Sequence, residues 1–176
     1  RNDEITLIDL GISSKVSQKQ HHLGNPRHLE GTLKYISPEQ TGRVNKVVDY
    51  RSDLYSLGVI LYELFVERVP FDFDDPIELV HAHIATMPIE IHRIKSTIPS
   101  MVSKIVSKLL SKNAENRYQT ALGLKYDLEN CLEQLEEKQT IKNFELGQKD
   151  NSGILCLPQK LYGREDETTT LLDAFE

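Results

Sequence analysis

The sequence predicts an α+β chain that is mainly helical, with one short strand near its start. Three observations lead there. Ile5-Thr6-Leu7-Ile8 is an apolar, β-branched run stopped by Asp9-Leu10-Gly11, which is how a buried strand ends in a turn. Residues 12–31 are polar and carry Gly24-Asn25-Pro26, so they form a long loop, and loops of that length are usually functional or disordered. From Asp53 onward, apolar residues recur at spacings of three and four, the helical period.

The first helix carries Leu54, Leu57, Leu61 and Leu64, widened by Ile60 and Phe65, with Asp53 at the position of an N-cap. Apolar around much of its circumference, it belongs in a core, and Val69-Pro70-Phe71 ends it. Pro76 opens a second helix through Ile77, Leu79, Val80 and Ile84, closed by Pro88. A third runs from about Ser100 through Val102, Ile105, Val106, Leu109 and Leu110. A fourth starts near Thr120 and presents Leu124, Leu128, Cys131, Leu132 and Leu135, while Asp127, Glu129, Glu133, Glu136 and Glu137 read as a solvated face. Residues 138–158 are polar, hold Asp150-Asn151-Ser152-Gly153 and Pro158, and read as a linker.

With 176 residues, 39% hydrophobic and 27% charged, the chain suits one ordinary soluble domain plus a remainder. Its apolar stretches are too short and too interrupted by charge to span a membrane. It starts at Arg1, and Arg1-Asn2-Asp3-Glu4 lacks the apolar core of a secretory signal, so the start reads as a cut through a longer protein. Cys131 and Cys156 are the only cysteines and make no disulfide framework, which points to a reducing, cytoplasmic compartment.

The net charge of −6 is uneven: residues 1–112 balance 14 acidic against 14 basic side chains, and residues 113–176 hold 13 acidic and 7 basic. A nucleic-acid-binding surface is not expected in the acidic part, although Arg43, Lys46 and Arg51 are candidates for a local basic patch. The histidines do not make a metal site. His81 and His83 are two apart on a helix and point to different faces, and neither that pair nor His21-His22 has a carboxylate or cysteine at zinc-like spacing.

An aspartate at the end of a buried strand, before a tight glycine turn, can reach a metal ion, although Asp before Gly is usually turn chemistry alone. Four more pieces follow Asp9-Leu10-Gly11 in order: Gly31-Thr32-Leu33-Lys34-Tyr35-Ile36-Ser37-Pro38-Glu39; Asp53-Leu54-Tyr55-Ser56-Leu57-Gly58; Glu63-Leu64 with Val69-Pro70-Phe71; and Asn116-Arg117-Tyr118. Together they resemble the C-terminal half of a eukaryotic-type Ser/Thr protein kinase domain, in which Asp-Phe-Gly and Ala-Pro-Glu bound an activation segment. The resemblance implies the mainly helical C-lobe of the protein-kinase fold over residues 1–137, with the strand and activation segment 9–39 at its start and the N-lobe absent.

The family's roles fall on matching residues. Asp9 would hold the magnesium that bridges the ATP phosphates. Thr32 matches the threonine that supports the catalytic loop in Ser/Thr kinases, which favours hydroxyl substrates over tyrosine. Glu39 resembles the glutamate paired with a distant arginine, here Arg117, and Asp53 the helix-capping aspartate that tethers the catalytic loop. Ser13, Ser14 and Ser17 are candidates for phosphorylation that orders the activation segment, or are merely polar loop residues. The sequence departs from the pattern at Leu10, where Phe is usual, at Tyr55, where Trp is common, and at Glu67, where Gly is common.

No Gly-rich loop, strand lysine or His-Arg-Asp motif occurs in these 176 residues. The expectation is a Ser/Thr kinase fragment that cannot phosphorylate by itself, its intact protein using ATP and Mg2+ on protein substrates. The alternative is a pseudokinase, an interaction module that relays signals to an ATPase module behind it in the same protein. Residues 30–53 are also similar to large bacterial signalling proteins that join a Ser/Thr kinase to an AAA-type ATPase and often to sensory and histidine kinase modules. Residues 159–176, with Leu161-Tyr162-Gly163-Arg164-Glu165, resemble the start of that ATPase.

Overall fold

The computed structural model describes residues 33–151. Two short 3₁₀ turns, Leu33–Tyr35 and Glu39–Thr41, lead into five helices: α1 (Arg51–Val66), α2 (Pro76–Ala85), α3 (Ile91–Ile94), α4 (Ser100–Leu109) and α5 (Ala121–Lys138). A further 3₁₀ turn, Ala114–Asn116, joins α4 to α5. The strand expected at residues 5–8 and the segment 159–176 lie outside the described residues.

α1 is the central element, packed against α4, α3 and the Leu33–Tyr35 turn. Its buried face is Ser52, Leu54, Tyr55, Gly58, Val59 and Tyr62. That corrects the expected leucine stripe: Leu54 is buried, Leu57 and Leu61 are half-buried, and Ile60 and Leu64 are exposed. The cause is how closely α4 approaches at Gly58. A Cβ on Gly58 would stand 2.7 Å from the Leu109 Cβ, so the helices cross at the glycine and bury the tyrosine side of α1. Tyr55, Val59 and Tyr62 then join Ile91, Ile98, Val106 and Leu110 in one cluster.

The start of α1 also differs from expectation. Asp49 Oδ1 accepts the Arg51 backbone N–H at 2.8 Å and the Arg51 side chain at 3.0 Å. Asp53 is the third residue of the helix and is exposed. The carboxylate one turn earlier satisfies the helix end because the Arg51 guanidinium holds it there. At the other end, Glu67 adopts φ 60° and its N–H bonds to Glu63 O at 2.7 Å, the left-handed cap that glycine usually provides.

α2 starts at Pro76 and α5 beside Thr120, as the sequence predicts, and each start is capped by a side chain. Asp75 accepts from Ile77 N–H at 2.8 Å before Pro76, and Thr120 Oγ1 accepts from Gly123 N–H at 2.9 Å. α5 does not present a uniform acidic surface. Asp127 is buried and accepts from the Tyr118 hydroxyl at 2.7 Å and Gly147 N–H at 2.8 Å. A solvated reading of Asp127 fails because residues 139–151 return along α5 and cover it. Ile141, Phe144 and Leu146 of that returning segment pack on the cluster of Leu54, Met101, Ile105, Leu109, Tyr118, Leu124 and Cys131.

Candidate functional site

The second 3₁₀ turn brings Glu39 under the start of α1 and against the loop before α5. Arg117 meets it there, 78 positions later, with Nη1 at 2.6 Å from Oε1 and Nη2 at 2.8 Å from Oε2. Both side chains are fully enclosed, with 1% or less exposed. The remaining Arg117 N–H groups are also matched: Nε donates to Ser111 O at 2.8 Å, Nη1 to Arg51 O at 3.0 Å and Nη2 to Lys112 O at 3.4 Å. Five donors with five acceptors is what a planar guanidinium can satisfy and an ammonium cannot.

Burial pushes the Glu39 carboxyl up, but the Arg117 bonds and charge, with the Ser52 hydroxyl at 2.7 Å, outweigh it. Its pKa ends below the ordinary carboxylate range. The guanidinium also lies 4.9 Å from the centre of the Tyr55 ring, a stacking contact that adds to the charge pair. Tyr55 itself is buried, and that desolvation raises its hydroxyl pKa.

A second shelf of polar groups stands beside the pair. Arg51 Nη1 donates to Gln119 Oε1 at 2.8 Å, and Gln119 Nε2 donates to the carbonyls of Ala114, Glu115 and Arg117. Arg51 is therefore committed to the fold rather than to a basic patch, whereas Arg43 and Lys46 are exposed.

Ahead of Glu39, the Leu33–Tyr35 turn packs on α2 through Leu33, Ile36, Phe71, Leu79 and Ala82. The Tyr35 hydroxyl donates to Glu63 Oε2 at 2.7 Å, and the Ser56 hydroxyl donates to Tyr35 O at 2.8 Å. Leu33 and Lys34 of the turn also line a groove of about 250 Å³ with Phe73, Asp74, Pro76 and Leu79. His83 of α2 is buried, and its pKa is lowered to about 4 by burial first and by the Lys112 charge second. Lys112 sits 4.4 Å over the Phe71 ring, donates to Ala82 O at 3.1 Å, and is itself lowered to about 8, chiefly by burial.

Of the residues singled out from sequence, Glu39 and Arg117 are brought together, and Asp53 stands apart from them on the surface. Asp9, Ser13, Ser14, Ser17 and Thr32 lie outside the described residues. Sequence reasoning missed Ser52, Tyr55, His83 and Gln119. Ser52, Tyr55, Val59 and Tyr62 do share a helical face, but that face competes with a more apolar leucine stripe. Among the described residues no group of three His, Cys, Asp or Glu side chains could hold a metal ion, and no helix is long and apolar enough to cross a membrane.

The family model of the protein kinase domain matches residues 1–128. The chain belongs to the protein kinase family. Its relatives include the serine/threonine-protein kinase PknB of Mycolicibacterium smegmatis, 34% identical over 128 residues, which are 73% of this chain and 20% of that protein. A probable serine/threonine-protein kinase of Streptomyces coelicolor is 35% identical over 133 residues, 76% of this chain and 20% of that protein. The hybrid signal transduction histidine kinase G of Dictyostelium discoideum is 38% identical over 166 residues, 83% of this chain and 5% of that protein. The chain thus spans a fifth or less of the length of these relatives.

Proposed function

We propose that this chain is the C-lobe part of a Ser/Thr protein kinase domain that, in its intact protein, moves the γ-phosphate of ATP to protein serine and threonine hydroxyls. The observation that carries the reading is the enclosed Glu39–Arg117 pair. It anchors the end of the activation segment to the base of the helical lobe, so the segment before Glu39 has one fixed end. Phosphoryl transfer depends chiefly on positioning and charge stabilisation, and an anchor of that kind supplies positioning.

On this reading Asp9 holds the magnesium, which neutralises charge developing on the phosphate when bound, and Thr32 supports a catalytic loop outside the 176 residues. Residues 138–158 would then lead to a following ATPase module beginning at residue 159, and the 176 residues alone would not phosphorylate. The name of the Dictyostelium relative is in keeping with a multidomain signalling context.

The test is label transfer from γ-labelled ATP to a protein substrate by the intact protein. We expect Asp9→Asn to reduce it to background and the labelled product to contain phosphoserine or phosphothreonine. Transfer by the variant at the parent's rate would overturn the role of Asp9. An inactive parent that nonetheless binds its partners would favour the pseudokinase alternative.

A further inference from the structure

The last part of the described chain is tied to the loop that carries Arg117. Residues 147–150 form a turn closed by the Asp150 N–H on Gly147 O at 3.0 Å. Its first residue, Gly147, takes φ 79°, which glycine adopts without strain, and donates its N–H to Asp127 of α5. Its last residue reaches the start of the same helix. Asp150 Oδ2 accepts the Gln119 backbone N–H at 2.6 Å, and Oδ1 accepts the Thr120 hydroxyl at 2.8 Å. Bonds to a carboxylate are about twice as strong as those between neutral groups.

Gln119 passes the constraint on. Its side-chain amide has one orientation, because Nε2 faces the carbonyls of Ala114, Glu115 and Arg117 at 3.0, 3.2 and 2.8 Å. A flipped amide would set its oxygen against all three. Oε1 accordingly accepts from Arg51 Nη1 at 2.8 Å. Arg117, held through its own carbonyl, bonds in turn to Glu39 and to the Arg51 carbonyl. One continuous set of bonds therefore runs from Asp150 through the backbone and side chain of Gln119 to Arg117 and Glu39. Coupling between separated parts of a fold is carried by networks of this kind.

Resting on the Ser/Thr kinase reading, we propose that Asp150 is a positioning residue: by fixing Gln119 it holds the loop that presents Arg117 to Glu39, and so ties the chain leaving the lobe to the end of the activation segment. Displacing Asp150 then loosens the Glu39 turn, while the core between α1 and α4 stays closed.

Backbone hydrogen exchange in the intact protein, read by mass, separates this role from simple capping of α5. The Gln40 and Thr41 amides bond within the turn that carries Glu39, at 3.1 and 3.3 Å, and report on the anchor, whereas those of α4 report on the core. We expect Asp150→Ala to speed exchange over residues 37–42 at least about fivefold and to leave α4 within about twofold of the parent. Asp150→Asn, which keeps an acceptor for Gln119 and a donor toward Thr120 Oγ1, should exchange like the parent. Gln119→Leu leaves the Asp150 bond to the backbone in place and should speed residues 37–42 as Asp150→Ala does. It carries the same comparison if Asp150→Ala fails to fold.

A rise confined to residues 119–125 and 139–150 would assign Asp150 to capping alone. A rise shared equally by α4, or two variants that do not fold, would assign the network to general stability. Either result overturns the proposal. In phosphate transfer, Asp150→Ala should raise the KM for a peptide substrate, with the KM for ATP unchanged and Asp150→Asn like the parent; an unaltered peptide KM would overturn the positioning role. A parent that transfers no phosphate is a failure of the kinase reading instead, and exchange at the Glu39 turn, measured without turnover, still decides the coupling.

Discussion

Asp150 rests on Gly123: a Cβ built on that glycine would fall 2.4 Å from Asp150 Oδ1. The carboxylate reaches this close because it caps the beginning of α5, accepting from Gln119 N–H at 2.6 Å and from the Thr120 hydroxyl at 2.8 Å. A segment that reads as linker thus ends its described part docked on the lobe.

The sign of one substitution follows from that contact. Gly→Ala near a helix start ordinarily gains up to about 1 kcal/mol from propensity. Here the added methyl displaces Asp150, and crowding of this kind costs about 1–3 kcal/mol. Gly123→Ala should therefore lower the melting temperature of the intact kinase domain. In an Asp150→Gly background the same change should raise it. Thermal denaturation of the two single variants and the double variant checks the reversal.

The ion pair gives the largest expected effect. Removing one member of an enclosed pair typically costs about 3–5 kcal/mol, a large part of the roughly 5–15 kcal/mol that holds a domain folded. Glu39→Gln and Arg117→Met should each be severe, and their double-mutant cycle in the full kinase domain should return a coupling well above zero. Arg117→Lys should not rescue, because three of the acceptors need the guanidinium fork or its Nε.

Glu67 provides a gain. A non-glycine residue in the left-handed region costs about 1–2 kcal/mol, and Glu67 repays little of it, since its contact with Lys95 is an exposed one at 4.0 Å. Glu67→Gly should stabilise the domain by about 1 kcal/mol in urea unfolding, with an unchanged m-value.

His83 makes stability depend on pH. Its pKa falls from 6.5 in an unfolded chain to about 4 in the fold, so between those values the folded protein binds fewer protons. Stability is then complete above pH 6.5 and falls as the solution is acidified toward pH 4. Between pH 7 and pH 5 the parent should lose about 2 kcal/mol more than His83→Gln, at about 1.36 kcal/mol for each pH unit crossed. Glu39, lowered by Arg117, acts later: its contribution is present above about pH 4.5 and is lost as pH falls through its depressed value.

Local chemistry in the sequence was enough for four of the helices and for the cap at Thr120, and the pairing of Glu39 with Arg117 was legible as well. Caps and helical periods are decided within a few residues, so they are legible in the chain. The pair was legible for a different reason, since it came from the resemblance to kinases and not from spacing. Tertiary structure alone decided which side of α1 is core. The leucine stripe and the tyrosine face are both apolar enough to be buried, and the choice falls to the approach of α4 over Gly58. The same holds for Asp127, a charged residue in an acidic run that only the returning segment encloses. It holds for His83 too, whose neighbours Tyr55 and Phe71 come from other parts of the chain. A side chain's burial and its partners depend on elements distant in sequence, and no local pattern carries that information.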